Sequence, residues 1–455
     1  MPSSFESFIL ENAEAETTRL LLSSIEWPSP PADPGFSSFD GKELAVNTIE
    51  SRRKLRDKVP EWFSRTSLVF PSALSAEQCS SSVTARYKAS LTKRILGDYQ
   101  GRIADLTGGL GVDTWAFSQV ALEVLYNERE LRLVAAARHN LQELGVRNVR
   151  YSAWDLAPDS MGTVLGDFQP DLIFLDPARR SSEGNKVFLL EDCSPDVLTL
   201  LPTLLGHSRH LLLKLSPMAD ISMVVERLDR TYEKHLESEG GSGWNGNWVR
   251  EIHVVASGGE CKELLVWMDR EWKGEYSVTC REDGGSLLFS SEEIRSSKAV
   301  LPEAVDFQVL FEPGRSLSKA GAFNALCQRF GLVKLARSTN LFSLPSSVIL
   351  SAPPVILSAP PVILSEAKDL CEVKDLLPMG KFFSVETIVR MNKTGLRDVG
   401  KKYPRSEVSA RNIPLSTAEL RSRLGVKSGD DAHIFGVRVE TSFEGANFLL
   451  VCHRI

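Results

Sequence analysis

The sequence predicts an α/β protein whose centre is an open, mostly parallel sheet, preceded by a helical domain and followed by small α+β units. Three observations carry that prediction. From residue 102 onward, short apolar runs (RIADL, ALEVLY, NVRYSA, DLIFLD, HLLLKL) alternate with helical stretches, the pattern of strands joined by crossover helices. Carboxylates, Asp105, Glu128, Asp155 and Asp176, stand at the ends of four successive runs. A glycine-rich turn, Gly108-Gly109-Leu110-Gly111, follows the first of them, where a strand must bend sharply into a helix.

Taken in order, residues 1–95 read as helical. Ser3 or Ser4 opens a helix with Phe5, Phe8 and Ile9 on its apolar side, which runs to residue 22. WPSPPADPGFSSFDG then forbids helix, because proline lacks the N–H and clashes with the preceding turn. Helical patterns resume in ELAVNTIESRRKLRDKV and in AEQCSSSVTARYKASLTKRIL. The sheet domain occupies 96–272, and EIHVVASGGECKELLVWMD, turning at Gly258-Gly259-Glu260-Cys261, is an antiparallel hairpin that closes it. Residues 273–342, with a strand in VDFQVLFEP and a helix in SKAGAFNALCQRFG, form a small α+β unit. In 343–379 the heptapeptide VILSAPP occurs twice without change and begins a third time. Two prolines per repeat exclude a coiled coil, so the segment is expected to be an extruded, poorly ordered insertion with no catalytic role. The final unit, 380–455, has strands in FFSVETIV, EVSAR, AHIFGVRV and NFLLVCHRI and a helix in TAELRSRLG.

With 455 residues, 42% hydrophobic and 25% charged, the chain can bury more than one core. Its seven cysteines (79, 193, 261, 280, 327, 371, 452) are scattered without a CxxC pair, which argues against a disulfide framework or a metal site and fits a reducing cytoplasm. The N-terminus turns acidic without a basic leader, and no apolar run reaches membrane-spanning length, so no membrane partner is expected. The net charge of −6 hides two basic segments: residues 51–102 carry eleven Lys/Arg against four Asp/Glu, and 380–455 thirteen against eight. Either these are solvated helix faces or they meet an anionic partner such as RNA.

The ends of the strands suggest a cofactor. Glu128, at the end of the second run, is placed to accept both ribose hydroxyls of an adenosine. A dinucleotide needs a helix N-terminus bare of acids for its pyrophosphate, whereas DLTGGLGVD has carboxylates at both ends of the loop. That arrangement repels phosphate and suits the cationic S-adenosylmethionine, with Asp105, Thr107, Gly109, Gly111, Glu128 and Asp155 as its binding residues. Asp113 is expected to cap the following helix.

DLTGGLG is similar to the DxGxGxG motif of class I methyltransferases, with Thr107 in place of its first glycine. EQCSSSVTARYKASL, ADLTGGLGVDT, DLIFLDPARR, LLEDCSPDV, KLSPMADIS and GGECKELL, in this order, resemble bacterial class I methyltransferases with ferredoxin-like and THUMP-like C-terminal domains. FEPGRSLSKAGAFNALCQRFGLVKL looks like the first of those domains and ARNIPLSTAELRSRLGVKSGDDAHIF like the second. The resemblance implies a Rossmann-like class I methyltransferase sheet that binds S-adenosylmethionine, and a C-terminal domain related to modules that bind RNA, usually tRNA.

Amino-methyltransferases resembling this chain carry (D/N)PP(Y/F) at the end of the fourth strand, where the acid and a proline-adjacent carbonyl accept hydrogen bonds from the target amine. Asp176 and Pro177 keep those parts; Ala178 and Arg179 replace the second proline and the aromatic ring. Arg179 and Arg180 either stack on a base and fork onto phosphate, or brace the loop by pairing with Glu183, Glu191 or Asp192. Lys214, after HLLL, either reaches the same crevice or is structural. Methylation at a pyrimidine C5 needs a cysteine nucleophile, and neither Cys193 nor Cys280 falls at the expected place. The leading expectation is an S-adenosylmethionine-dependent methyltransferase acting on a base nitrogen of structured RNA. The alternatives are a protein or small-molecule substrate, or a non-catalytic module that binds S-adenosylmethionine and RNA.

Overall fold

The computed structural model describes residues 4–179, 190–240, 247–344, 374–441 and 444–455. They pack into two compact units, Met1–Arg250 with Leu265–Gly274, and Glu251–Leu264 with Glu275–Ile455.

The first unit begins with helices. Asp40 opens the longest, Gly41–Lys58, by accepting the amide of Glu43 at 2.8 Å. Phe5, Ile9, Phe36, Leu44 and Ile49 bury their side chains together with Ala136 of the helix Leu131–Glu143, so the N-terminal helices share a core with the sheet layer. The helix expected from Ser3 or Ser4 to residue 22 is two, Ser4–Glu11 and Thr17–Leu22, and the helical pattern at 76–96 resolves into Ala73–Gln78 and Ser82–Leu96. The second break follows from Ser81, whose side chain accepts the Thr84 amide at 3.2 Å and restarts the helix.

The expected strands are β1 (Arg102–Asp105), β2 (Glu123–Asn127), β3 (Val149–Ser152), β4 (Leu172–Leu175), β7 (His210–Leu215), β8 (Val249–Ser257) and β9 (Glu260–Asp269); two short strands the sequence reading did not place, β5 (Ala178–Arg179) and β6 (Cys193–Ser194), stand between β4 and β7. In this unit the sheet order is β9-β7-β4-β1-β2-β3, and β1, β2, β3, β4 and β7 run parallel. The chain steps outward from β1 through β2 to β3 and then returns to lay β4 on the other side of β1. That reversal is the switch point at which a crevice opens beyond the carboxyl ends of the strands. The short strands β5 and β6 form a separate antiparallel ribbon, Ala178 facing Ser194 and Arg179 facing Cys193, which ties down the chain just beyond β4.

In the second unit β10 (Ser277–Glu282) runs parallel to the Glu251–Val255 stretch of β8 and forms a hairpin with β11 (Gly285–Ser290), two strands the sequence reading did not place. The remainder is a seven-stranded sheet of β12 (Val309–Pro313), β13 (Val333–Lys334), β14 (Phe342–Leu344), β15 (Gly380–Arg390), β16 (Glu407–Arg411), β17 (His433–Glu440) and β18 (Gly445–Arg454), in the order β13-β14-β12-β15-β18-β17-β16. The segments 273–342 and 380–455, expected to fold separately, thus share one sheet, since β12 pairs with β15 from Val309↔Ser384 to Pro313↔Gly380. Three short strands cannot bury Leu310 and Phe311 alone; Phe382 and Phe383 complete their cover, with the Phe311 and Phe382 rings 4.9 Å apart. Most of the segment 343–379 lies outside the described residues, so its expected disorder has no structural counterpart to compare.

Beneath the β1 turn, Lys88 of the helix Ser82–Leu96 is wholly buried, with its Nζ 3.1 Å from Asp113 Oδ1 and 3.0 Å from Ser80 Oγ. Removing one member of a buried ion pair strands the other, at a cost of roughly 3–5 kcal/mol. Lys88→Met is expected to lower unfolding free energy by that amount in urea titrations, and the double variant with Asp113→Leu to recover most of the loss. A wild-type value for Lys88→Met alone would show that the pair contributes nothing.

Candidate cofactor and catalytic site

The site is built where β1, β2, β3 and β4 end. Asp105 closes β1 and is fully buried: its Oδ2 accepts the Thr114 hydroxyl at 2.5 Å and its Oδ1 the Thr107 amide at 3.3 Å. It therefore shapes the turn from within. Burial, followed by the charges of Asp113 and Asp176, pushes its carboxyl up to about 7, against the opposing pull of those hydrogen bonds.

The turn itself rests on an aromatic floor. A Cβ on Gly108 would sit 2.1 Å from the Tyr126 ring, so only glycine fits there. The Tyr126 hydroxyl donates to the Gly109 carbonyl at 2.6 Å. Gly111 has φ 87° and begins the helix Val112–Ser118 in place of a side-chain cap. The expectation that Asp113 caps this helix is corrected: it lies inside the first turn and accepts from Ser80 Oγ at 2.7 Å besides pairing with Lys88. On the other side of the turn, a Cβ on Gly109 would meet nothing within 4 Å, which leaves the outer face of the loop open.

Glu128, directly after β2, is half-buried and already engaged: Oε2 accepts the Gly109 amide at 3.1 Å and Oε1 the Glu130 amide at 3.0 Å. Those bonds lock the carboxylate beside the turn. Asp155 does not end β3, which stops at Ser152, but follows three residues later with a side chain 81% exposed, 4.0 Å from Arg129. The residue that the sequence reading missed here is Asn127. It is buried at the end of β2, and its amide nitrogen donates to the Leu106 and Trp154 carbonyls at 3.2 and 3.0 Å while its oxygen takes the Trp154 amide at 3.1 Å. One side chain thus holds the exits of β1 and β3 together. The only local sign was an amide next to the acid in YNERE.

Beyond β4, the Asp176 amide donates to Thr107 Oγ1 at 2.6 Å, which gives a purpose to the residue standing where the related motif has glycine. The Asp176 carboxylate is paired with Lys214 Nζ, from the penultimate position of β7, and Pro177 is buried behind it. Arg179 enters through its backbone in the β5–β6 ribbon, and Arg180 lies outside the described residues. Of the acids considered as their partners, Glu191 pairs with Arg227 at 3.1 Å. Asp105, Thr107, Gly109, Gly111, Glu128, Asp176, Pro177 and Lys214 are therefore gathered at one switch point, with Asp155 at its solvent edge. An acid-rich cradle with an open glycine face beside a carboxylate–ammonium pair can hold a cationic adenosine derivative and manage one proton next to it. Among the described residues there is no group of three or more His, Cys, Asp or Glu placed to hold a metal ion, and no helix long and apolar enough to cross a membrane.

Comparison with known proteins agrees with this architecture. A ferredoxin-like domain family matches residues 310–348 and a THUMP domain-like family residues 380–454. A crystal structure of a protein from Porphyromonas gingivalis W83 assigned as a methyltransferase superposes with a TM-score of 0.75 over 99% of this chain and 97% of that one, at 29% identity. The chain is built as a class I methyltransferase. Its C-terminal part carries the ferredoxin-like and THUMP domain-like matches, and its whole length resembles the Porphyromonas gingivalis protein. Two curated relatives, the 23S rRNA (uracil-C5)-methyltransferases of Aeromonas hydrophila and Aeromonas salmonicida, are 37% and 36% identical over 78 residues. That match covers 17% of this chain and less than a fifth, 18%, of each relative's length.

The buried acid has a measurable signature. A carboxyl held at about 7 in the fold, against about 3.9 in an unfolded chain, keeps its proton longer in the folded state, so its contribution to stability is complete below pH ~4 and is lost as pH rises to about 7. Asp105→Asn is expected to flatten that decline when urea unfolding is measured between pH 5 and pH 8. Identical slopes for wild type and variant would rule out a raised Asp105.

Proposed function

We propose that this chain is an S-adenosylmethionine-dependent methyltransferase that methylates a base nitrogen of structured RNA in the cytoplasm. The observation that carries the reading is the placement of Asp176-Pro177 at the β1/β4 switch point, tied by Thr107 to the same turn that holds Glu128.

The residues present fit the cofactor. Glu128 is fixed beside the glycine turn to accept ribose hydroxyls, the outer face of Gly109 is clear for the ligand to pass, and the half-exposed Trp154 beside Asp155 offers a face to the adenine. Asp105 sits beneath the turn and holds it through Thr107 and Thr114, while the Glu128 carboxylate at the turn supplies negative charge that favours a cation. Bound S-adenosylmethionine supplies a methyl group on a sulfonium. The protein's part is to hold the acceptor in line and take one proton. Asp176 accepts the target N–H, the Pro177 carbonyl lies next to it, and Arg179 and Arg180, next in the sequence, supply two positive charges for an anionic strand. The basic segments 51–102 and 380–455, the THUMP domain-like match and the rRNA-modifying relatives support RNA as the substrate class.

Those relatives methylate carbon, whereas the cysteines here favour nitrogen. Carbon methylation needs a thiolate. Burial pushes the Cys79 thiol up to about 11, against the opposing pull of the Lys58, Lys214 and Lys88 charges. Cys193 is fully buried in the ribbon opposite Arg179.

Two substitutions separate binding from chemistry. Glu128→Ala is expected to weaken S-adenosylmethionine at least tenfold in calorimetry, since charge-assisted hydrogen bonds are worth about 1.5–3 kcal/mol each; unchanged affinity in the folded variant would remove Glu128 from the site. Asp176→Ala should keep the cofactor while transfer to RNA falls by ~10² or more. Wild-type rates in that variant would refute the role of Asp176. Protein that binds both ligands yet labels no cellular RNA fraction would replace the enzyme reading by a binding module.

A further inference from the structure

Resting on that reading, the geometry points to the kind of nitrogen that is methylated: we infer that the acceptor is a lactam ring N–H, flanked by a carbonyl oxygen, and not an exocyclic amine.

An ion pair sets the chemistry of the acceptor site. Asp176 does not stand alone at the end of β4; the Lys214 ammonium from β7 is bonded to its Oδ2, and both side chains are largely shielded, 33% and 14% exposed. The Lys214 charge is felt beyond the pair, as far as the Cys79 thiol. Whatever nitrogen approaches Asp176 therefore reacts beside a fixed positive charge in a partly desolvated crevice.

An exocyclic amine attacks with its own lone pair and gains positive charge as the new bond forms. An ammonium next to it opposes that change, and a hydrogen bond from the ammonium to the adjacent ring nitrogen would draw electron density away from the amine. A lactam behaves in the opposite way. Its nitrogen becomes nucleophilic by giving up its proton, and the resulting negative charge spreads onto the neighbouring oxygen, which a fixed cation stabilises. Carboxylate beside ammonium is also the complement of the lactam edge, an N–H donor beside a C=O acceptor. The step balances: the N–H proton passes to the Asp176 carboxylate, the ring nitrogen forms its bond to the methyl carbon, and the carbon–sulfur bond breaks with its electron pair remaining on sulfur. The products are a neutral N-methyl lactam, a neutral sulfide and a protonated Asp176, which returns its proton to solvent. Guanine and uracil present such an edge; adenine and cytosine do not.

The test uses the full chain with labelled S-adenosylmethionine and RNA from cells lacking the gene, digested to nucleosides and separated by mass spectrometry. The expected product is a guanosine or uridine methylated on its ring nitrogen. Label on an exocyclic amine, a ribose oxygen or a carbon overturns this inference and leaves RNA methylation standing, whereas no label in any RNA removes both. Lys214→Met, shown folded by retained cofactor affinity, should lose ~10²-fold in transfer rate, with the deficit shrinking as pH rises and the lactam ionises unaided. Lys214→Arg should recover part of the rate. An unchanged or faster Lys214→Met enzyme, or a deficit that is independent of pH, contradicts the proposal. If Lys214→Met does not fold, the product identity and the Lys214→Arg rate decide it.

Discussion

One hydrogen bond organises the site: the amide of Asp176 donating to the side chain of Thr107. It joins the end of β4 to the turn after β1, the two neighbouring strands between which the sheet changes direction. Asp105 depends on the same turn, through the Thr107 amide, and Glu128 reaches it through the Gly109 amide. Cofactor cradle and catalytic acid are consequently parts of one rigid loop system. A glycine in place of Thr107 would leave the Asp176 amide to find another acceptor, which is why the departure from the related motif strengthens this site.

Charge is distributed with the same economy. The Asp113 and Asp176 charges lie close enough to Asp105 to add to the burial that raises its proton affinity. Two lysines divide the load: Lys88 from the helix before the sheet takes Asp113, and Lys214 from β7 takes Asp176. Asp105 is left to hydrogen bonds alone, the one acid of the three with no ammonium on it among the described contacts. A cationic ligand entering over the turn favours the ionised form of Asp105, against the burial that holds its proton. The N-terminal helices thus contribute to the electrostatics of the cradle as well as to its support.

The parallel sheet was legible because its strands are short apolar runs at regular spacing, and the site because carboxylates punctuate those runs. What local pattern could not show was partnership across the chain. Lys88 and Asp113 are 25 residues apart and look like a solvated lysine and a helix cap until the fold brings them together. Tyr126 and Asn127 read as ordinary strand residues, although one is the floor of the glycine turn and the other binds the exits of β1 and β3. The β10–β11 hairpin had a signal, the turn residues Asp283-Gly284 between two alternating runs, that was open to reading. The helix Lys393–Lys402 was hidden by Gly395 and Gly400, which depress helix propensity; its neighbour Leu424 comes so near that Gly400 has no room for a Cβ. The union of β12 with β15 pairs residues some seventy positions apart, beyond any local periodicity.

The central claim is that cofactor and acceptor meet at the β1/β4 switch point. A crystal structure with S-adenosylhomocysteine bound tests it most directly. The account predicts the ribose on Glu128, the ligand passing over the open face of Gly109, and the sulfur turned toward Asp176 and Lys214. Ligand bound elsewhere, or bound there with its sulfur directed away from Asp176, would contradict it.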